Sequence, residues 1–403
     1  MTAPLRVFLI AGEASGDRLG APLIRALRAE AGRPVEVMGV GGELMEAEGL
    51  RSLFPADDLA VMGIAEVLPR LRLILRRIRE TTAALTDARP DLLITIDSPG
   101  FGLRVARKAR AALPGTVMTH YVAPSVWAWK PGRAAEMARY VDHVLALLPF
   151  EPPYMTAAGM TCDFVGHPAA RLPRPDAAAC AAFRAGIGAG QAPLLCVLPG
   201  SRRGEVSRLA APFGEVVARV ARSAPGLRAV IPAAAGVADR VAEAAAEWPV
   251  PVTVLDPRGM DPAAAEARKF ACFAACDAAL AASGTVSLEL AAMGTPQVIA
   301  YKVHPLTAMI VKRMLRVDTA TLVNLLLDAR PIPEFIQEGL VPDRVAEAVT
   351  RLLRDPDAAA AQRAAEDRAL ALLGREGEAP STLAARSALA ALARGRAGAG
   401  AGR

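Results

Sequence analysis

The sequence predicts an α/β protein made of two Rossmann-like domains facing each other across a cleft, followed by a helical C-terminal segment. Three observations lead there. Short apolar runs of strand character alternate with helix-like stretches through both halves of the chain, as βα repeats around parallel sheets do. Several of these runs end in turns rich in Gly, Ser and acidic residues, the places where open α/β sheets bind ligands. A Pro-, Ala- and Gly-rich stretch at 169–192 divides the two series. The predicted boundaries are a first domain at 1–168, a linker with one short helix at 169–192, and a second domain at 193–350. C-terminal helices at 351–394 and a low-complexity tail at 395–403, expected to be disordered, complete the chain.

Composition bounds the function. The chain has 403 residues, enough for two domains. Its hydrophobic fraction is 53% with only 4% aromatic residues, which suits an Ala-rich α/β protein and argues against disorder. No run of about 18 apolar residues exists, so no transmembrane helix is expected. The opening MTAPLRVFLIAGEASGD goes straight into a strand and a Gly turn without a signal-peptide layout, which points to the cytoplasm. The five cysteines include no CxxC pair, so neither a disulfide framework nor a metal site is expected. The net charge of +6 is modest, and no nucleic-acid-binding motif accompanies it.

The first strand, Leu5 to Ile10, ends at Gly12-Glu13-Ala14-Ser15-Gly16-Asp17, and a helix follows from Leu19 to Ala29. The turn is not GxGxxG, so the dinucleotide fingerprint is absent. Ser15 and Asp17 suit helix capping, whereas Glu13 has no capping role at its offset and is a candidate for chemistry. After a strand at Val35 to Val40 comes Ile64 to Arg79, IAEVLPRLRLILRRIR. At 100° per residue, Leu68, Leu71, Leu75 and Ile78 fall in one apolar arc that Arg72 and Arg76 help to border. This reads as an interfacial membrane helix, with a core helix of basic outer face as the alternative.

The strand Asp91 to Ile96 runs into Asp97-Ser98-Pro99-Gly100, which places Asp97 at the carboxyl edge of the sheet. A carboxylate there serves as a general base or as a helix cap. The strand Thr116 to Tyr121 carries His120 and leads to Trp127, Trp129, Lys130 and Arg133, a wall of apolar and cationic groups or simply core. In the second half, Leu194 to Leu198 precedes Pro199-Gly200-Ser201-Arg202-Arg203-Gly204-Glu205 and a helix. A Gly turn, a hydroxyl, arginines and a helix N-terminus converge there as an anion site. Ala278 to Ala282 leads likewise into Ser283-Gly284-Thr285 and a short helix carrying Glu289 four residues after Thr285, on the same face. A basic helix is expected at Leu306 to Arg316. Asn324, polar within an apolar run, needs a buried partner or a ligand.

The motifs AGEASGD (Ala11 to Asp17), IDSPGF (Ile96 to Phe101), APSVWAWK (Ala123 to Lys130), FVGHP (Phe164 to Pro168), LPGSR (Leu198 to Arg202), SGTVSLE (Ser283 to Glu289) and PEFIQ (Pro333 to Gln337) occur in this order. Together, over residues 5 to 355, they closely resemble the lipid-A-disaccharide synthases. The resemblance implies a GT-B glycosyltransferase fold. It implies transfer of 2,3-diacylglucosamine from its UDP-activated form to 2,3-diacylglucosamine 1-phosphate, with inversion to a β-1,6 link and release of UDP. It implies no cofactor, peripheral attachment to the inner membrane, and dimers formed by exchange of C-terminal segments. Asp97 matches the family's essential aspartate and is the expected base, with Glu13 and Asp17 as rivals. Gly12, Ser15, His120 and Trp127 would line the same site. Gly200, Ser201, Arg202, Ser283, Gly284 and Thr285 would hold the diphosphate, Glu289 the ribose, and Asn324 the UDP portion. No DxD motif stands at these strand ends, so helix N-termini and Arg202 would replace a metal ion. The rival readings are another sugar-nucleotide enzyme of the same fold, such as a UDP-sugar 2-epimerase, or a binding module without activity.

Overall fold

In the computed structural model, which describes residues 3–59, 64–282, 284–303 and 317–401, the chain forms two compact units. One comprises Met1–Pro168 with Glu376–Arg403, the other Ala169–Arg375.

The first unit runs β1 (Leu5–Ala11), α1 (Ala14–Glu30), β2 (Val35–Val40), α2 (Glu43–Ala47), α3 (Ile64–Ala88), β3 (Leu92–Ile96), α4 (Gly102–Ala109), β4 (Val117–Tyr121), α5 (Gly132–Met137), β5 (His143–Ala146), α6 (Pro152–Thr156) and β6 (Thr161–Phe164). Its strands form one parallel sheet in the order β2-β1-β3-β4-β5-β6. β3 and β4 are buried along their whole length, as parallel strands with helices on both faces must be. β1 shows how the two faces divide. Val7, Leu9 and Ala11 join α1 in one core, while Phe8 and Ile10 join α3 and α4 in the other.

The second unit runs α7 (Ala177–Gly186), β7 (Leu194–Leu198), α8 (Arg203–Ser223), β8 (Arg228–Pro232), α9 (Ala238–Ala245), β9 (Val252–Leu255), α10 (Pro262–Ala275), β10 (Ala278–Ala281), α11 (Val286–Met293), β11 (Gln297–Tyr301), α12 (Leu322–Leu327), β12 (Glu334–Ile336), α13 (Pro342–Arg354) and α14 (Pro356–Leu372). Its sheet is also parallel, in the order β12-β11-β10-β7-β8-β9. The basic helix expected at Leu306 to Arg316 lies outside the described residues. The predicted α/β class and the two Rossmann-like sheets are both present.

The chain then returns to the first unit as α15 (Pro380–Ala401), which extends into the stretch expected to be a disordered tail. Its inner seam is Ala384, Ala385, Ala388 and Ala391, all buried in the core that α1 shares. Small side chains there let the helix lie close to the sheet. Arg386 reaches Glu30 of α1 at 2.7 Å, and Ser387 Oγ lies 2.7 Å from His143 Nε2 of β5.

α3 corrects part of the membrane reading. Ile78 is only 1% exposed and sits in the core, with Ile74 packed against it. The apolar arc is therefore partly consumed by the sheet below it. Arg77, on the flank, is held by Asp58 and Glu80 over the Phe54 ring. Leu71 and Leu75 remain exposed at 38% and 42%, one turn apart, with Arg72 and Arg76 exposed beside them. The side chain of Leu68 lies outside the described residues.

Candidate functional site

β1 and β3 are neighbours, with Ala11 paired to Ile96, so the turns that follow them meet at the carboxyl edge of the first sheet. Ser15 Oγ donates a hydrogen bond of 2.9 Å to Asp97 Oδ2. Asp97 has φ +48° and Ser98 φ +37°, two successive non-glycine residues in left-handed backbone. Such conformations cost about 1–3 kcal/mol each and persist where the surroundings enforce them, often at functional sites. Gly12 is part of that enforcement. A Cβ on it would lie 2.7 Å from Ser98 Oγ, so only glycine lets the two turns approach. Asp97 is half-buried and Ser15 exposed, which leaves the carboxylate reachable. Glu13 is the N-cap residue of α1 but makes no side-chain cap bond, as its offset predicted.

Three residues predicted for this edge have structural partners. Asp17 is buried, and its carboxylate accepts from the backbone N–H groups of Gly42, Leu44 and Met45 at 2.9–3.0 Å, capping α2. His120 is buried in β4 with Nδ1 2.7 Å from Thr95 Oγ1. Burial, reinforced by the charge of Arg133, pushes its pKa down to about 3, so the ring is uncharged at physiological pH. Trp127 donates its indole N–H to Glu151 Oε1 at 3.2 Å and meets Phe150 edge-on. Sequence reasoning passed over Glu151. It is 3% exposed, its pKa is raised to about 7 by burial, and it anchors the 123–130 loop by holding Trp127.

The second sheet repeats the arrangement. β7 and β10 are neighbours, with Leu198 paired to Ala281, so the Gly200 turn and the Gly284 turn stand side by side. Ser201, Arg202, Gly284 and Thr285 are exposed there, and Gly200 is half-buried. Ser283 lies outside the described residues. Glu205 organises the first turn. Its Oε2 accepts from the N–H groups of Ser201 (3.1 Å) and Arg202 (3.3 Å), and its Oε1 accepts from Tyr301 Oη (3.2 Å). Gly200 has φ +113°, and a Cβ there would come within 2.5 Å of Glu205 Cβ. These two backbone donors are thus already satisfied. An incoming anion would meet the Arg202 guanidinium, 3.5 Å from Glu205 and largely exposed, together with the Ser201 hydroxyl.

Glu289 is held by Lys269 of α10 at 2.9 Å, a partner 20 residues away that no local pattern signals. Asn324 lies elsewhere in purpose. It is fully buried; its Nδ2 donates to Ile332 O (2.9 Å) and its Oδ1 accepts from Ile332 N–H (3.0 Å). It clamps α12 to the chain entering β12, so the buried partner wins over the ligand.

The family model for lipid-A-disaccharide synthetase matches residues 7–388. A lipid-A-disaccharide synthase from Ruegeria pomeroyi is 53% identical over 96% of this chain and 95% of its own length. One from Paramagnetospirillum magneticum is 47% identical over 94% and 95%. Among solved structures, a UDP-GlcNAc 2-epimerase from Neisseria meningitidis bound to UDP-GlcNAc superposes with a TM-score of 0.64 at 12% identity, covering 97% of this chain and all of that one. The calicheamicin glycosyltransferase CalG4 superposes at 0.55 and 17% identity, over 98% and 99%. At such identities the structures show a shared fold alone.

Proposed function

Because the chain belongs to the lipid-A-disaccharide synthase family, we propose that its first unit deprotonates an acylated acceptor sugar and its second unit holds a UDP-activated one. The enzyme is a glycosyltransferase of lipid A biosynthesis. It joins UDP-2,3-diacylglucosamine to 2,3-diacylglucosamine 1-phosphate and releases UDP.

Inversion needs a single displacement. Asp97 takes the proton of the acceptor 6-hydroxyl as that oxygen attacks the anomeric carbon of the donor. The Ser15 hydroxyl occupies Asp97 Oδ2 and leaves Oδ1 for the acceptor. Glu13, on the same edge, orients the incoming sugar. UDP departs with its diphosphate charge facing Arg202, Ser201 and the Gly284-Thr285 turn. Glu289, held by Lys269, accepts from the ribose hydroxyls. The observation that carries this reading is the Ser15–Asp97 contact at a strained turn, in a chain of this family.

The test is UDP release with both acylated sugars. UDP appears only when the acceptor is present; epimerisation of the donor without acceptor would sink the proposal. In the same assay, Ser15→Ala lowers kcat about tenfold with little change in KM, the loss expected when one orienting hydrogen bond is removed. An unchanged kcat would remove Ser15 from this role.

Among the described residues no helix is long and apolar enough to cross a membrane. Attachment to the inner-membrane surface from the cytoplasm would use the exposed Leu71 and Leu75 with Arg72 and Arg76 around them, suited to acyl chains and anionic headgroups. Leu71→Ser with Leu75→Ser is expected to weaken sedimentation with anionic vesicles severalfold while leaving the melting temperature in place. Ile78→Ser is expected to do the reverse, because Ile78 is core. Unchanged vesicle binding in the double variant would return the helix to a purely structural role. A homodimer would exchange α15 between two copies, each seam of alanines meeting the partner's sheet.

A further inference from the structure

The sequence contains no CxxC pair, yet the second unit brings three of the chain's five cysteines to one point. Cys196 stands in the middle of β7. Cys272 lies in the last turn of α10, and Cys276 caps that helix four residues later. Residues four apart on a helix project to one side, and α10 lies over β7. The three sulfurs consequently lie within 4.8 Å of one another. Cys196 and Cys272 are fully buried and Cys276 nearly so. The other two cysteines, Cys162 and Cys180, stand outside this cluster.

We propose that Cys196, Cys272 and Cys276 form a binding site for a soft, three-coordinate metal ion, of the class that monovalent copper represents. An ion bonded to three sulfurs at about 2.3 Å in a plane holds them about 4 Å apart, which falls inside the 4.8 Å limit that the three sulfurs already keep. Thiolate ligands select copper(I), zinc or iron–sulfur centres. Zinc takes four ligands in closed sites, and iron–sulfur clusters take four. Among the described residues no histidine, carboxylate or further cysteine completes such a set. Burial excludes water as the fourth ligand, which leaves three-coordination. Each ligating thiol releases its proton to solvent, three per copper ion, with no change of oxidation state. Arg268, whose charge acts on Cys272, offsets part of the negative charge left behind.

The site ties together elements that reach the donor edge. α10 also carries Lys269, which holds Glu289, and β7 leads directly into the Gly200 turn. An ion bound at their junction would fix these two walls relative to each other.

The test titrates the whole reduced chain with copper(I) against a chromogenic copper(I) chelator, under argon. One equivalent per chain is expected to leave the chelator, with a thiolate-to-copper absorption band in the near ultraviolet. Cys196→Ser, Cys272→Ser and Cys276→Ser should each weaken binding by more than about tenfold, since loss of a direct ligand exceeds loss of an outer partner. Cys162→Ser and Cys180→Ser should not. Slow alkylation of the native sequence through local opening provides a readout that needs no variant: copper should slow the labelling of three thiols. Failure of the wild-type chain to withdraw copper would overturn the proposal. So would equal binding by a variant that combines Cys196→Ser, Cys272→Ser and Cys276→Ser, slowed labelling at only two thiols, or zinc binding tighter than copper.

Discussion

Asp97→Asn is expected to lower kcat by about 10²–10⁴-fold, the range contributed by a positioned general base, while UDP affinity stays within about twofold. The asparagine keeps the size of the side chain and can still accept from Ser15, so the loss isolates basicity from packing. The surrounding geometry makes the substitution informative. Asp97 is placed by a backbone N–H bond to Tyr121 O of 2.9 Å and by two left-handed residues in succession, none of which depends on its charge. Acceptor-dependent UDP release measures the rate, and calorimetric titration with UDP measures the retained site. Full activity in Asp97→Asn would remove the residue as base and turn attention to Glu13, the other carboxylate on that edge.

Asn324→Ala is expected to destabilise the second unit by about 2–4 kcal/mol and to leave UDP affinity unchanged below the unfolding transition. The alanine abandons both polar atoms of Ile332 in a fully buried position, and each unsatisfied group costs about 1–3 kcal/mol. Chemical denaturation followed by a probe in the second unit measures the first effect, and UDP titration the second. The sequence reading, in which Asn324 touches the UDP portion, requires the opposite: weaker UDP binding at nearly native stability. A variant that lost UDP affinity without losing stability would restore that reading.

The contrast shows what was legible. Continuous apolar runs such as LLITI and LLCVL identify fully buried parallel strands directly, because helices on both faces leave no polar side to alternate. The polar turns after them therefore fall at the carboxyl edge without further information, which places Ser15, Asp97, Gly200 and Gly284 there. Which strands are neighbours is not a local property. Ser15 and Asp97 are 82 residues apart, and only the β1–β3 pairing brings them together. Polar residues in apolar surroundings were the least legible. Asp17, His120 and Asn324 look alike on paper as ligand groups or buried anchors, and the outcome depends on backbone donors supplied from distant segments. Ile78 illustrates the same limit for periodicity, which defines an apolar arc but not how much of it the sheet covers. Glu205 had a visible clue, the acid at the third helical position, whereas Lys269 and Glu151 act only through tertiary contacts.

The return of α15 to the first sheet has a consequence for biosynthesis. Chain emerging from a ribosome would present β1 to β6 long before the helix that covers their remaining face. Leu145, Val117 and Tyr121 share that core with Ala384, Ala385 and Ala388, which are made more than 200 residues later. The intervening segment, Ala169–Arg375, carries its own sheet and core. Vectorial synthesis would then complete the second unit first and leave the first waiting, apolar face uncovered, for the last helix to close it.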